Sequence, residues 1–322
     1  MMRRIALALA VAAAALALLA VWGLRFHRAP EPALAGRLAS GSLEHEGRTR
    51  TWHAYLPARA TPSPALVFVL HGSGGDWAQA RGGYAYEFDL LAEREGFLHV
   101  YPDGFEGHWN DCRKAAPYSA NTLDVDDVGF LRSLAERFAA EHGADLSRVF
   151  ATGISNGGQM ALRLALEAPE WVRAVAPVVA SLPAERNMDC RPAGRPVATL
   201  IMNGTADPMN PWAGGDVALY GLVWNRGAVL SSEDSIDYFR DIAGHTRAPV
   251  VAQLPDRDLG DGSRVEVRRW NAPGRKPVAL YAILNGGHNA PHPELQLPRL
   301  LGPTNHDVRA AEEIWRFFEE SP

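Results

Sequence analysis

The chain has 322 residues, 47% of them hydrophobic, and a formal net charge of -5. That is enough apolar material for a sizeable core and the length of one large domain or two small ones. Thirty arginines against two lysines are scattered without a basic stripe; this excludes nucleic acid as a partner, because such binding rests on clustered positive charge.

Arg3 and Arg4 precede an unbroken apolar run, Ile5–Leu24. A charged start followed by such a run is an export signal, and twenty apolar residues are also just enough to span a bilayer. Residues 1–35 are therefore read as a signal peptide or an N-terminal membrane anchor, plus a linker. Ala33-Leu34-Ala35 offers a small-residue cleavage site. The destination is periplasmic or extracellular, and contact with a membrane is expected only through this N-terminal segment.

Pro30, Pro32 and Gly36 mark the linker, and residues 36–322 are expected to form one catalytic domain. Gly36–Glu46 and Arg48–Leu56 alternate as a hairpin of edge strands. Ala65–Leu70 is a continuous apolar run of the kind a fully buried parallel strand shows, and it ends in His71-Gly72-Ser73-Gly74-Gly75. Phe97–Tyr101, Arg148–Thr152, Val172–Val179, Val197–Met202 and Val278–Leu284 are read the same way. Between them, Phe88–Arg94, Asp127–His142, Gly157–Ala168, Glu233–Gly244 and Val308–Phe318 place apolar residues at helical spacing. Alternating strands and helices predict an α/β fold with a mostly parallel central sheet and helices on both faces. Ligands of such sheets sit beyond the carboxyl ends of the strands.

The residues at those ends carry chemistry. Gly153-Ile154-Ser155-Asn156-Gly157 follows one strand and opens a helix. This is the G-x-S-x-G elbow that lifts a serine over the sheet edge, in the context that gives it meaning. It points to the α/β-hydrolase fold, whose chain order is serine, acid, histidine. Asp207 follows the strand Val197–Met202 and His288 follows Val278–Leu284, so Ser155, Asp207 and His288 are the expected catalytic residues. His292 and His306 are rivals further from the strand end. The N–H groups of Ser73 and Asn156 are expected to form the oxyanion hole. No metal or organic cofactor is required. Trp77, Trp109 and Trp212 all lie in loops after strands; Trp109 and Trp212 are expected to bind substrate.

Asp126 and Asp127 read as helix-capping carboxylates, and Asp256, Asp258 and Asp261 as a solvated hairpin loop. Cys112 and Cys190 form no CxxC and have no neighbouring histidine cluster, which argues against zinc. An oxidising compartment favours one disulfide over two buried thiols. Such a bridge is expected to cross above or beside the catalytic mouth.

Several blocks resemble the polyhydroxybutyrate depolymerase and feruloyl/acetylxylan esterase family of α/β hydrolases. They are Leu70 to Gly75, Tyr101-Pro102-Asp103-Gly104 with Trp109-Asn110-Asp111, Val125 to Leu131, Gly153 to Met160, Gly204 to Pro208 with Pro211 to Gly215, and Gly286-Gly287-His288. The resemblance implies a serine esterase acting on small or oligomeric esters: hydroxyalkanoate oligomers, or feruloyl and acetyl esters of plant polysaccharide. The alternative is an exported peptidase or acyltransferase on the same fold. Two departures concern the substrate. The sequence after the histidine is Asn289-Ala290-Pro291-His292, where the family usually places an aromatic. Asp216–Ser232, with Tyr220, Trp224 and Arg226, exceeds a minimal connection and is expected to form a small lid.

Overall fold

The structure is a computed structural model that describes residues 23, 24 and 26–321. The export signal read at Ile5–Leu24 therefore lies almost wholly outside the described residues. Among the described residues no helix is long and apolar enough to cross a membrane.

In chain order the elements are β1 (Arg37–His45), β2 (Arg48–Leu56), β3 (Leu66–Leu70), α1 (Trp77–Gly83), α2 (Glu87–Glu95), β4 (Leu98–Pro102), α3 (Ser119–Thr122), α4 (Asp127–His142), β5 (Val149–Ile154), α5 (Asn156–Glu167), β6 (Ala174–Val178), β7 (Ala198–Gly204), β8 (Gly215–Asp216), β9 (Ala228–Val229), α6 (Ser232–Ile242), β10 (Val250–Gln253), β11 (Arg264–Trp270), β12 (Val278–Leu284) and α7 (Ala310–Glu319). Ten strands form one sheet in the order β1-β2-β4-β3-β5-β6-β7-β12-β11-β10. The six in the middle, β4 to β12, run parallel. The outer pairs are antiparallel.

The parallel strands are apolar because both faces are covered. On one face Phe130, Leu134 and Phe138 of α4, Met160 and Leu164 of α5, and Ile236 and Phe239 of α6 pack on β3, β5 and β7. On the other, Phe88 and Leu91 of α2 and Ile314, Phe317 and Phe318 of α7 do so. Every residue of β3, β4, β6 and β7 is buried. This is the α/β-hydrolase architecture, and the strands and helices read from hydrophobic runs all form.

Six of these elements escaped that reading: α1, α3, β8, β9, β10 and β11. β10 is an edge strand with all four residues exposed, so no buried face marks it. β11 alternates, but with arginines and a glutamate on its open side. Helix α1 is one glycine-rich turn and a half, started by Asp76, whose side chain accepts from Gln79 N–H at 2.9 Å. The stretch Asp216–Ser232 forms the two-stranded ribbon β8–β9 before entering α6, with a tight turn at Leu219–Val223 between the strands.

The acidic residues weighed as caps divide their roles. Asp126 caps α4, accepting from Gly129 N–H at 2.8 Å. Asp127 is wholly buried and holds the Arg50 guanidinium at 2.6 Å; burial raises its carboxyl above the ordinary range, with Arg50 opposing. In the loop joining β10 to β11, Asp258 and Asp261 are not simply solvated: they stand 3.1 and 3.8 Å from His306 Nδ1.

Cys112 and Cys190 form a disulfide, with Cα atoms 5.0 Å apart. They lie in the segments after β4 and β6, the strands flanking the β3–β5 pair. Both sulfurs belong to the core under α4, α5 and α6. The bridge is thus packed into the core and lines no part of the cavity that holds Ser155, instead of crossing above it. It closes a loop of 78 residues, for which the chain-entropy argument gives at most about 4.5 kcal/mol. Cys112→Ser/Cys190→Ser should therefore lower the unfolding free energy by about 2–4 kcal/mol in a denaturant titration. A loss under about 0.5 kcal/mol would show that the bridge constrains little.

Candidate active site

The elbow is built by close approach. A side chain at Gly157 would place its Cβ 2.3 Å from the Leu70 carbonyl oxygen and 2.6 Å from that of His71. One at Gly153 would meet the Gly157 carbonyl carbon at 2.5 Å. Neither glycine has positive φ; each is needed because backbone passes where Cβ would be. Between them Ser155 adopts φ 57° and ψ -115°, a strained conformation for a residue with a side chain. Its N–H is held by the Val178 carbonyl at 2.9 Å, and its own carbonyl accepts from Gln159 at 2.8 Å.

Asp207 and His288 come together from the ends of β7 and β12. His288 Nδ1 lies 2.7 Å from Asp207 Oδ2. The other carboxylate oxygen accepts two backbone N–H groups of its own loop, Met209 at 2.7 Å and Asn210 at 2.8 Å. Oδ2 is thereby presented to the imidazole. His288 Nε2 is buried without a hydrogen-bond partner among the described residues. Ser155 and His288 line one cavity of about 810 Å³, together with Ser73.

The rival histidines are engaged elsewhere. His292 Nε2 is 3.0 Å from Glu87 on α2, and its Nδ1 accepts from Glu294 N–H. His306 faces the β10–β11 loop. Neither lines the cavity. Asp258, Asp261 and His306 could in principle hold a metal ion, but outside this cavity.

Behind the loop that follows β3, buried polar groups form a connected set. Trp109 is fully buried. Its indole N–H donates to the His71 carbonyl at 3.1 Å, and its backbone N–H to Asn156 Oδ1 at 2.8 Å. Asn156 Nδ2 donates to Asp111 Oδ2 at 2.6 Å, and Asp111 is paired with the buried Arg113. His71 Nε2 accepts from Gly104 N–H at 2.8 Å, so the ring proton sits on Nδ1 and donates to the Gly72 carbonyl. Burial holds the His71 pKa below its ordinary value. Gly72 N–H donates to Gln79 Oε1 at 2.9 Å.

The expectation that Trp109 and Trp212 bind substrate is corrected here. Trp109 ties the loop after β3 to the start of α5. Trp212 packs against the core near α6, and neither lines the cavity. Trp77 stacks on His53, ring centroids 3.9 Å apart. The aromatic wall is made instead by Tyr118 and Trp224, with His108 stacked on Tyr118 at 4.2 Å. Leu70, Ile154, Met209, Leu297 and Leu301 complete an apolar lining. Trp224 and Arg226 reach it from the β8–β9 ribbon, which agrees with the position expected of a lid. Phe26 and Arg28 also line it; sequence reading had placed them in the leader, where nothing marks a pocket residue.

Comparison with known proteins agrees with this architecture. No family model matches the chain. It is 31% identical over 277 residues to "Putative esterase NocK" of Nocardia uniformis subsp. tsuyamanensis, covering 83% of this chain and 78% of that one. It is 28% identical to "Probable feruloyl esterase C" of Aspergillus niger, over 61% of this chain and 68% of the relative. The acetyl xylan esterase from Aspergillus awamori shares the fold with a TM-score of 0.56 at 14% identity, over 87% of this chain and 99% of that one. The chain is a hydrolase acting on carboxylic ester bonds and belongs to the esterase family of α/β hydrolases that takes in feruloyl esterases, acetylxylan esterases and poly(3-hydroxybutyrate) depolymerases.

Proposed function

We propose that Ser155, His288 and Asp207 perform this hydrolysis through an acyl-enzyme. The observation that carries the reading is the 2.7 Å pair between His288 Nδ1 and Asp207 Oδ2, with the other ring nitrogen left for Ser155 in the same cavity. Ser155 Oγ attacks the ester carbonyl while His288 takes its proton. Asp207 orients the ring and offsets the charge of the imidazolium. The N–H groups of Ser73 and Asn156 receive the oxyanion, the latter at the positive end of α5. His288 returns the proton to the departing alcohol. Water, deprotonated by the same imidazole, then cleaves the acyl-enzyme and regenerates Ser155.

The cavity bears on the substrate. About 810 Å³ of mostly apolar space far exceeds an acetyl group, and it suits an acyl part the size of a ferulate or a hydroxyalkanoate oligomer. Residues 36–322 supply this chemistry. Export is supported by Arg3, Arg4 and the run Ile5–Leu24, and by a disulfide, which persists in oxidising compartments.

Replacing Ser155 by Ala should lower kcat by roughly 10³- to 10⁶-fold with the unfolding midpoint nearly unchanged. Activity within a few-fold of wild type would remove Ser155 from its role. His288→Ala should be comparably damaging, whereas His292→Ala should cost stability through Glu87 and spare turnover. Assays of kcat beside thermal unfolding separate the two, and the reverse pattern would transfer the base to His292.

His71 gives a pH dependence of a different origin. Because burial depresses its pKa in the folded protein, the folded state favours neutral imidazole. The associated stability is fully present above the ordinary histidine value and is lost as pH falls through the lowered one. Protonation would also put a proton where Gly104 N–H donates. His71→Gln keeps an acceptor there and cannot titrate. Its stability should fall less steeply than wild type between about pH 7 and 5; parallel curves would show that folding does not depress the His71 pKa.

A further inference from the structure

The chain emerging from the apolar run is bonded onto the catalytic body at the mouth of the cavity. His27 N–H donates to the Gln296 carbonyl at 2.8 Å, and Gln296 N–H to the His27 carbonyl at 3.0 Å. Glu31 pairs with the nearly buried Arg81 at 2.6 Å, and Ala29 is buried. Phe26 and Arg28 share the cavity lining with Ser155 and His288. Cleavage after Ala35 would strip this wall away and leave Arg81 with Asp89 alone among these carboxylates.

The rim is apolar. Leu24 is 61% exposed and Phe26 nearly half exposed. In the turn of the β8–β9 ribbon, Leu222 is 85% exposed and Trp224, which lines the cavity, 62%. Tyr220, also exposed, donates its hydroxyl to the Leu300 carbonyl, which joins the ribbon to the segment carrying Leu297 and Leu301. Exposed apolar surface this concentrated marks an interaction site. Tryptophan and tyrosine beside arginine, here Arg28 and Arg226, are the composition of a membrane interface.

Chain length names the occupant. The run Ile5–Leu24 is long enough to span a bilayer, and only Arg25 separates its last member from Phe26 in the cavity wall, a distance of two residue steps. At no more than about 3.6 Å per residue, the wall lies within roughly 7 Å of the end of the run. A run seated in a bilayer therefore sets the mouth against the lipid surface. We propose that the working enzyme keeps residues 24–31, faces its cavity to the membrane it is anchored in, and hydrolyses amphiphilic carboxylic esters whose acyl chains enter from the lipid phase. The proposal rests on the serine esterase reading above.

The test uses the full chain in vesicles of phosphatidylethanolamine and phosphatidylglycerol, with two esters: water-soluble p-nitrophenyl acetate, and a long-chain 4-methylumbelliferyl ester embedded in the vesicles. Intact mass of enzyme recovered from host membranes should show residues 24–31 retained. Leu222→Asp/Val223→Asp alters the exposed turn and no residue of the cavity lining. It should keep p-nitrophenyl acetate hydrolysis within about twofold, which also reports folding, and lower hydrolysis of the embedded ester tenfold or more. A mature chain beginning after Ala35, or equal hydrolysis of the embedded ester by variant and wild type, would overturn the membrane-facing mouth. Wild-type enzyme inert toward p-nitrophenyl acetate would instead overturn the esterase reading on which it stands.

Discussion

The contact between the first turn of α5 and the carbonyls of Leu70 and His71 governs the geometry of the site. Backbone meets backbone there at distances no side chain could share, so helix α5 and the loop after β3 are placed as one unit. The helix start cannot recede from the loop without opening a void, and cannot approach it without collision. Ser155 is left with a conformation that costs of order 1–3 kcal/mol, and the packing of β3 against β5 on one side and β6 on the other holds it there.

That unit is then stiffened from behind by polar groups that would be expensive to leave unpaired. Asn156, Trp109, Asp111, Arg113 and His71 are all buried, and each finds partners within the group. Losing one member leaves another unsatisfied, at about 1–3 kcal/mol for a buried donor or acceptor. The design keeps the atoms nearest the substrate simple. In the proposed mechanism the N–H groups of Ser73 and Asn156 face the reaction, and the supporting hydrogen bonds of Asn156, Trp109 and His71 run behind the loop.

Much of this was legible in the order of residues, for identifiable reasons. Strands covered on both faces must be apolar throughout, so β3 to β7 and β12 announce themselves, and the loops at their ends carry Ser155, Asp207 and His288 in a recognisable order. β10 has no buried face and therefore no pattern to read. Trp109 misled because an aromatic after a strand reads equally well as a rim residue or as a buried brace; only the partner of its indole N–H, the His71 carbonyl, distinguishes the two. Tyr118 and Trp224 reach the cavity from loops whose paths no local periodicity encodes. Phe26 and Arg28 were hidden by their neighbours: placed after an apolar run, they look like the remains of a leader, and the pairing of His27 between them with Gln296 spans almost the entire chain.

The covalent link between Cys112 and Cys190 also has a topological meaning. The stretch it encloses contains α3, α4, β5, α5 and β6, so Ser155 and the two strands that flank its turn on that side sit inside a single closed ring of chain. Asp207 and His288 lie outside the ring. A protease that nicks an exposed loop between the two cysteines would leave the fragments tethered, and the severed ends would remain at high local concentration. A nick between Cys190 and Asp207 leaves the portion that carries Asp207 and His288 without that tether. The enzyme is thus protected unequally along its length, most strongly around the residue that must hold the least relaxed backbone.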